Sequence, residues 1–127
     1  VNSVRLGVPH MSSRGAAVLF SGYPARKYRP GTLAIGSVGG SVEAFIHLVA
    51  NEISPVRING VCPGLIDTPM SPLEGDERRE YYEKGTAGHL IPRAGTSEEC
   101  ASAAIFLLEN EFVTGTIIDV DGGAIVT

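Results

Sequence analysis

Three short runs rich in apolar and β-branched residues punctuate this chain, and a glycine or proline follows each one closely. Residues 16–20 (AAVLF) are continuously apolar and lie between Gly15 and Gly22. Residues 56–61 (VRINGV) and 116–120 (TIIDV) have a similar length. Short, bounded runs of this kind are typical of strands buried in a parallel sheet. The pattern therefore predicts three β-strands.

Between the strands, apolar positions recur every three or four residues, which is the spacing of one helical face. Residues 34–53 carry the longest such pattern. Another helix is predicted from the N-cap signal at 96–99 (TSEE) to about residue 109. A short polar helix is predicted over 76–84, and the last turns of a further one over 2–12. The predicted inner faces comprise Val38, Val42, Phe45, Ile46, Val49 and Ile53 on the long helix, and Ala101, Ala104, Ile105 and Leu108 on the later one.

The first third of the long helix is unusually rich in glycine, with Gly36, Gly39 and Gly40. Each glycine costs up to about 1 kcal/mol relative to alanine in a helix. This region should be the weakest part of the helix unless another element packs closely on it. The order strand, helix, strand, helix, strand predicts an α/β fold with a parallel sheet and right-handed crossovers.

Composition narrows the class of protein. A chain of 127 residues suits one domain, and 43% hydrophobic with 19% charged residues is ordinary for a globular protein. The net charge of −4 argues against nucleic acid as a partner. No apolar stretch approaches the roughly 20 residues that cross a bilayer, and no signal-peptide pattern opens the chain.

The residues that often ligate metals are scattered in this sequence. Cys62 and Cys100 are isolated, and they form neither a zinc spacing nor a disulfide framework. Both are interpreted as small buried side chains in a reducing, cytoplasmic protein. His10 and His89 have no carboxylate or cysteine at ligand spacing, so no metal site is predicted.

Three motifs carry a resemblance to a known family. They are RINGVCPGLIDTPM over 57–70, IPRAGTSEECASAAIFLL over 91–108 and TGTIIDVDGG over 114–123. They are similar to three stretches of the short-chain dehydrogenase/reductase family: R-V-N-x-V-x-P-G-x-x-x-T-x-M, a helix start of the form P-x-R-x-G-x-P-E-E, and the closing T-G-x-x-x-x-V-D-G-G. The chain thus resembles the C-terminal half of a family member. The resemblance implies a partial Rossmann-type sheet of about three strands with flanking helices, lacking the N-terminal dinucleotide-binding half.

Ser21 stands where the family has the serine that hydrogen-bonds the substrate carbonyl. The family places a tyrosine in the next helix and a lysine one helical turn later. Ile35 and Gly39 occupy these two positions, and neither residue can pass a proton to a carbonyl oxygen. A fourth family residue, an asparagine, would precede this sequence, and Asn2 does not match it. The resemblance therefore implies an oxidoreductase architecture without its usual acid.

The resemblance also implies one wall of a cofactor site for NAD or NADP. The positions Pro63, Gly64, Ile66 and Thr68 match family residues that lie against the nicotinamide end. No G-x-x-x-G-x-G turn for the pyrophosphate occurs in these residues. Cofactor binding is thus predicted only in part, and the choice between NAD and NADP stays open. Residues 66–95 correspond to the substrate lid within a single segment, 1–127, and Tyr81 and Tyr82 are interpreted there as packing residues.

Three functions are compatible with these observations. The first is a degenerate family member without hydride transfer by itself, acting as a structural or regulatory subunit. The second is an active oxidoreductase, completed by another chain or by a substitute proton donor such as Tyr23 or Tyr28. The third is a module that binds a small ligand in the former substrate cleft, around Ser21 and residues 67–90. The strand at 16–20 should lack a neighbour on one side, so we expect a homo-oligomer or a complex with a chain that supplies the missing strands.

Overall fold

The sheet has three parallel strands, as the sequence predicts. The computed structural model describes all residues from Val1 to Thr127. The elements are α1 (Asn2–Gly7), β1 (Ala16–Phe20), α2 (Leu33–Glu52), β2 (Arg57–Pro63), β3 (Ile66–Asp67), α3 (Gly75–Thr86), β4 (Gly95–Thr96), α4 (Ser97–Glu109) and β5 (Ile117–Val120). The strand order is β1–β2–β5, with both pairs parallel. The α/β class and the partial Rossmann-type sheet are confirmed.

Each main element lies close to its predicted position. Strand β1 has the predicted bounds, and α2 and α4 are each within one or two residues of theirs. Strand β2 continues to Pro63, beyond the predicted end at residue 61. Proline is tolerated there because it is the last residue of the strand, and the ladder resumes as the amide of Gly64 donates to the carbonyl of Val120.

The predicted inner faces of the helices need two corrections. On α2, Ile46 and Val49 are buried, but Val38 is 63% exposed. On α4, the buried residues are Cys100 and Leu107, whereas Ile105 and Leu108 are about half exposed. The end of α4 is apolar on every side over residues 104–108, so periodicity alone does not determine which face meets the sheet.

By length and composition alone, α2 could cross a membrane, with a mean hydropathy of 1.5 in its most apolar window. This corrects the expectation that no stretch approaches that length. Glycine, serine and alanine interrupt the large apolar residues of α2, so the run looks short although its mean hydropathy is high. Core helices of soluble proteins meet the same criterion. Here Ile46 and Val49 pack with Ile58 of β2 and Val4 of α1 in one cluster.

Two buried polar side chains of β2 tie the sheet to the end of α4 and to the loop that follows it. Arg57 donates to the carbonyls of Leu107 and Leu108 at 2.8 and 2.7 Å, and to that of Val113 at 3.1 Å. Asn59 donates to the carbonyl of Val113 and accepts from the amide of Thr116. These bonds fix the loop between α4 and β5.

A second, two-stranded ladder was not predicted. Strand β3 pairs in parallel with β4, through Ile66 with Gly95 and Asp67 with Thr96. The two ends of the lid-like segment 66–95 therefore lie side by side, because β3 and β4 pair there. Two-residue strands carry no periodicity, so the sequence gives no signal for this pairing.

Candidate functional site

An open cleft of about 940 Å³ lies at the carboxyl ends of β1 and β2. This is the edge at which parallel α/β sheets bind ligands. The loops after both strands, helix α3 and the start of α4 form its walls. The lining is largely apolar and includes no charged side chain. It consists of Phe20, Ser21, Gly22, Tyr23, Pro24, Ile35, Pro63, Gly64, Leu65, Ile66, Thr68, Met70, Ser71, Pro72, Leu73, Tyr81, Tyr82, Ser97, Cys100 and Ala101.

The structure brings most of the predicted site positions to this cleft. Gly39 is the exception, because it is buried beneath the loop that follows β1. The catalytic and cofactor roles of the others stay predictions. The positions that line the cleft are Ser21, Ile35, Pro63, Gly64, Ile66 and Thr68.

The loop after β1 packs directly on the glycine-rich start of α2. Its short 3-10 helix, Tyr23–Ala25, is called the Tyr23–Ala25 turn below. A Cβ atom at Gly36 would lie 2.6 Å from the carbonyl oxygen of Pro24, and one at Gly39 would lie 3.1 Å from the Cβ of Ala25. The predicted weakness of this part of the helix is thus offset by close packing. A lysine at position 39 would press on Ala25, which would have to shift by a few tenths of an ångström.

Ser21 belongs to a polar network that the sequence did not reveal. Its hydroxyl donates to Glu43 of α2 at 2.8 Å, since a carboxylate can only accept. Arg26 donates to the other oxygen of Glu43 at 2.8 Å and to Asp119 of β5 at 2.7 Å. In this arrangement the Ser21 hydrogen is directed to Glu43, and the lone pairs of the hydroxyl are left to accept a hydrogen bond from a ligand.

The network also sets the charge state of its members. Burial pushes the pKa of Glu43 upward, but hydrogen bonds from Arg26 and Ser21 outweigh it, so that the pKa is lowered overall. The carboxylate therefore stays ionised and is a weak base. Burial raises the pKa of the neighbouring Cys62 thiol to about 11, which keeps it protonated and unreactive at neutral pH. Glu43 is therefore poorly suited to activate a nucleophile, and Cys62 is poorly suited to act as one.

One guanidinium holds two tyrosines of the cleft. Arg29 donates to the hydroxyl of Tyr23 at 2.7 Å and to that of Tyr81 at 3.2 Å. Its central carbon lies 5.9 Å from the ring centroid of Tyr81. Tyr23 is buried and lines the cleft, whereas Tyr28 is 88% exposed and does not line it. Of the two tyrosines considered as substitute acids, only Tyr23 is in place.

Helix α3 covers the cleft and is anchored by Arg78. This side chain donates to the carboxylate of Asp67 and to the carbonyls of Thr68, Ser71 and Leu73. The short polar helix predicted over 76–84 carries exposed ion pairs on its outer side. Arg78 differs from these, because its bonds to three carbonyls fix the loop after β3.

The residues present do not fit a whole dinucleotide. Thr68 and the apolar wall at Pro63 and Ile66 are neutral and accessible from the cleft. No cation lines the cleft, and no glycine-rich strand-to-helix turn is available for a pyrophosphate. The close approach of Gly64 to Asp121, where a Cβ would lie 2.6 Å from the Asp121 Cα, is explained by packing within the chain. These residues therefore do not form a complete cofactor site, and no group of His, Cys, Asp or Glu is arranged to hold a metal.

The chain resembles known proteins in both sequence and fold. Residues 1–125 match the family model described as enoyl-(acyl carrier protein) reductase. Among solved structures, a crystal structure of a small-chain dehydrogenase in complex with NADPH superposes with a TM-score of 0.91 at 29% identity, over 98% of this chain and 57% of that one. The chain belongs to the short-chain dehydrogenase/reductase family.

Two curated relatives show the range of proteins that it resembles. It is 32% identical to 3-oxoacyl-(acyl-carrier-protein) reductase FabG of Chlamydia muridarum, over 86% of this chain and 44% of that protein. It is 37% identical to inactive 2-(S)-hydroxypropyl-CoM dehydrogenase 2 of Xanthobacter autotrophicus, over 87% of this chain and 51% of that protein. The chain therefore spans about half the length of these relatives.

Sequence reasoning missed the residues that hold the site together. Glu43, Arg26 and Asp119 come from α2, the loop after β1 and β5, and Arg29 and Tyr81 are 52 positions apart. No local pattern connects charges at such separations. The one available signal was the cluster of Arg26, Lys27 and Arg29 in a loop that the family resemblance places beside the active site.

Proposed function

We propose that this chain is a degenerate member of the family that does not transfer hydride by itself and that binds a small, mostly apolar molecule in its cleft. Its role is structural or regulatory, within an assembly that includes the strands of a complete Rossmann-type sheet. A cytoplasmic location is part of this proposal. NAD or NADP is the cofactor that the family resemblance suggests for the complete assembly.

The arrangement around the Tyr23–Ala25 turn is the observation that carries the proposal. Ile35 presents an aliphatic side chain to the cleft at the family's tyrosine position. Gly39 is covered by Ala25 and Gly22 at the family's lysine position. The hydroxyl of Ser21 donates its hydrogen bond to Glu43. The residues at these three positions of the family's proton-transfer route therefore do not support transfer of a proton to a carbonyl oxygen.

A double substitution tests the proposal. The variant Ile35→Tyr/Gly39→Lys should show no NADH or NADPH oxidation with a panel of ketones. The lysine introduced at position 39 would press on Ala25 of the Tyr23–Ala25 turn, and these residues lack a site for the pyrophosphate. Fluorescence titration with NADH and NADPH should give no saturable binding at millimolar concentration, for the unmodified chain and for the variant.

The matched control is Ile35→Phe/Gly39→Lys, which has the same bulk but no hydroxyl. Circular dichroism on all three proteins checks that each is folded. Saturable micromolar cofactor binding, or turnover by the unmodified chain, would contradict the proposal and favour an active oxidoreductase.

The open edge of the sheet supports the proposed assembly. Within these residues β1 pairs only with β2, so its other edge carries unpaired backbone groups. Phe20 at the end of β1 is also exposed, as is Val38, which lines a surface pocket with Leu19 of β1. Exposed strand edges and apolar patches tend to pair with other chains. We expect light scattering at micromolar concentration to give a mass above that of one chain, whereas the mass of a single chain would count against assembly.

A second candidate, an active oxidoreductase with a different proton donor, is favoured by one observation. The buried Tyr23 lines the cleft beside Ser21 and accepts a hydrogen bond from a cation, Arg29. Under this alternative the complete assembly would have activity that depends on Tyr23 and not on position 35.

A further inference from the structure

The loop after β1 is attached to two parts of the chain that lie far from it in the sequence. Lys27 donates through its ammonium group to the carbonyl oxygens of Ala124 and Thr127, each at 2.7 Å. Two positions later, Arg29 donates to the hydroxyl of Tyr81 on α3 at 3.2 Å. One side chain of the loop therefore holds residues 124–127, called the 124–127 segment below, and another holds α3.

Tyr23 contacts the same two parts of the chain. Its buried ring packs in one cluster with Ala124 of the 124–127 segment. The ring also meets that of His89, which follows the end of α3, in an edge-to-face arrangement with the centroids 6.4 Å apart. Because the hydroxyl of Tyr23 accepts from Arg29 at 2.7 Å, the two attachments belong to one contiguous network.

Helix α3 has few other attachments to the sheet. Tyr82 and Thr86 are its buried residues, and their hydroxyls donate to carbonyls within the segment 66–95. The remaining side-chain hydrogen bonds of α3 also have partners within that segment. The bond from Arg29 to Tyr81 is thus the side-chain hydrogen bond that joins α3 to the rest of the fold.

The outer part of the loop, residues 27–32, is held mainly by these attachments. Its hydrogen bonds to other elements come from the side chains of Lys27 and Arg29, and most of its other residues are exposed. Arg26 marks the inner boundary, since it bonds to α2 and to β5. Loss of either attachment would free residues 27–32 and thereby weaken the other attachment.

We propose that residues 27–32, the 124–127 segment and α3 open as one cooperative unit, so that release of the 124–127 segment also loosens α3. Local opening of proteins occurs in contiguous units of this kind. The inference goes beyond the proposed function, because it requires neither a ligand in the cleft nor a cofactor. It describes a regulatory device: a partner that captures the 124–127 segment would change how firmly α3 is held.

Amide hydrogen exchange followed by mass spectrometry tests the proposal on the purified chain. In Lys27→Met, the amides of α3 should exchange about tenfold faster, although Lys27 bonds to no residue of α3. This is the change expected when one hydrogen bond to a charged group is lost. In Arg29→Met, the amides of the 124–127 segment should exchange faster by a similar factor, because coupling between two sites is reciprocal.

Two further variants separate the cooperative unit from other effects. Lys84→Met removes an exposed ion pair with Glu80 on α3 and should leave exchange in the 124–127 segment unchanged. Tyr23→Phe keeps the ring that packs on Ala124 but removes the acceptor of Arg29, so it should accelerate exchange in both parts by a smaller factor.

The pattern of exchange along the chain decides the outcome. Acceleration confined to the 124–127 segment in Lys27→Met, or to α3 in Arg29→Met, would overturn the proposal. Equal acceleration in β2 would also overturn it, since the whole chain would then be opening. Unprotected α3 amides in the unmodified chain would mean that these attachments do not hold α3. None of these results depends on ligand or cofactor binding, so the proposed function is tested separately.

Discussion

Replacing Arg57 with leucine should destabilise the chain by about 3 kcal/mol or more. This is the usual cost of removing a buried charged side chain that is hydrogen-bonded. Arg57 is 8% exposed and donates to three carbonyls, two of them in the last turn of α4. The last four carbonyls of a helix have no partner within it, and they form the negative end of the helix dipole. Leucine would fill part of the space but would leave these acceptors unsatisfied.

Urea denaturation followed by circular dichroism measures this change. Arg57→Lys should give an intermediate loss, because lysine keeps the charge but lacks the fork that reaches several carbonyls at once. The matched control is Arg14→Leu, which removes an exposed ion pair with Glu111 and should leave the midpoint unchanged. Equal midpoints for Arg57→Leu and the unmodified chain would show that Arg57 does not stabilise the end of α4.

Gly36→Ala should also destabilise the chain, by up to about 2 kcal/mol, although helix propensity predicts the opposite sign. Alanine is favoured over glycine in a helix by about 1 kcal/mol. However, the new Cβ would lie 2.6 Å from the carbonyl oxygen of Pro24, and overpacking of this kind costs about 1–3 kcal/mol. The Tyr23–Ala25 turn would have to move away from α2.

Gly40 provides the control on the same helix. A Cβ at Gly40 would meet nothing within 4 Å, so Gly40→Ala should stabilise the chain by up to about 1 kcal/mol. Thermal unfolding of the two variants should therefore shift in opposite directions. Stabilisation by both substitutions would mean that the turn does not pack on α2 as described.

Local signals predicted the elements well. The TSEE sequence predicted that Thr96 and Glu99 begin α4, and the structure contains the reciprocal bonds between them, at 3.3 Å to the Thr96 hydroxyl and 2.8 Å to the Glu99 carboxylate. The continuous apolar run of β1 likewise placed this strand within its observed bounds. These signals work because their physical causes, capping and burial, act between residues that are near in sequence.

The site depends on contacts between residues that are far apart, and there the sequence was less informative. The family resemblance assigned site positions to Ser21, Ile35 and Thr68, and the structure places all three at one cleft. The resemblance did not show that the Ser21 hydroxyl donates to Glu43, or that Arg29 donates to the hydroxyls of both Tyr23 and Tyr81. Such bonds depend on the path of the loop after β1, and that path depends on which glycines of α2 are covered.

The fit between this loop and α2 also constrains how the sequence can change over generations. Pro24 leaves no room for a Cβ at position 36, and Ala25 would have to shift by a few tenths of an ångström to admit one at position 39. A mutation that introduces a larger residue at either position would therefore strain this loop. Changes in the loop would have to come first, so the order of substitutions matters as much as their identity.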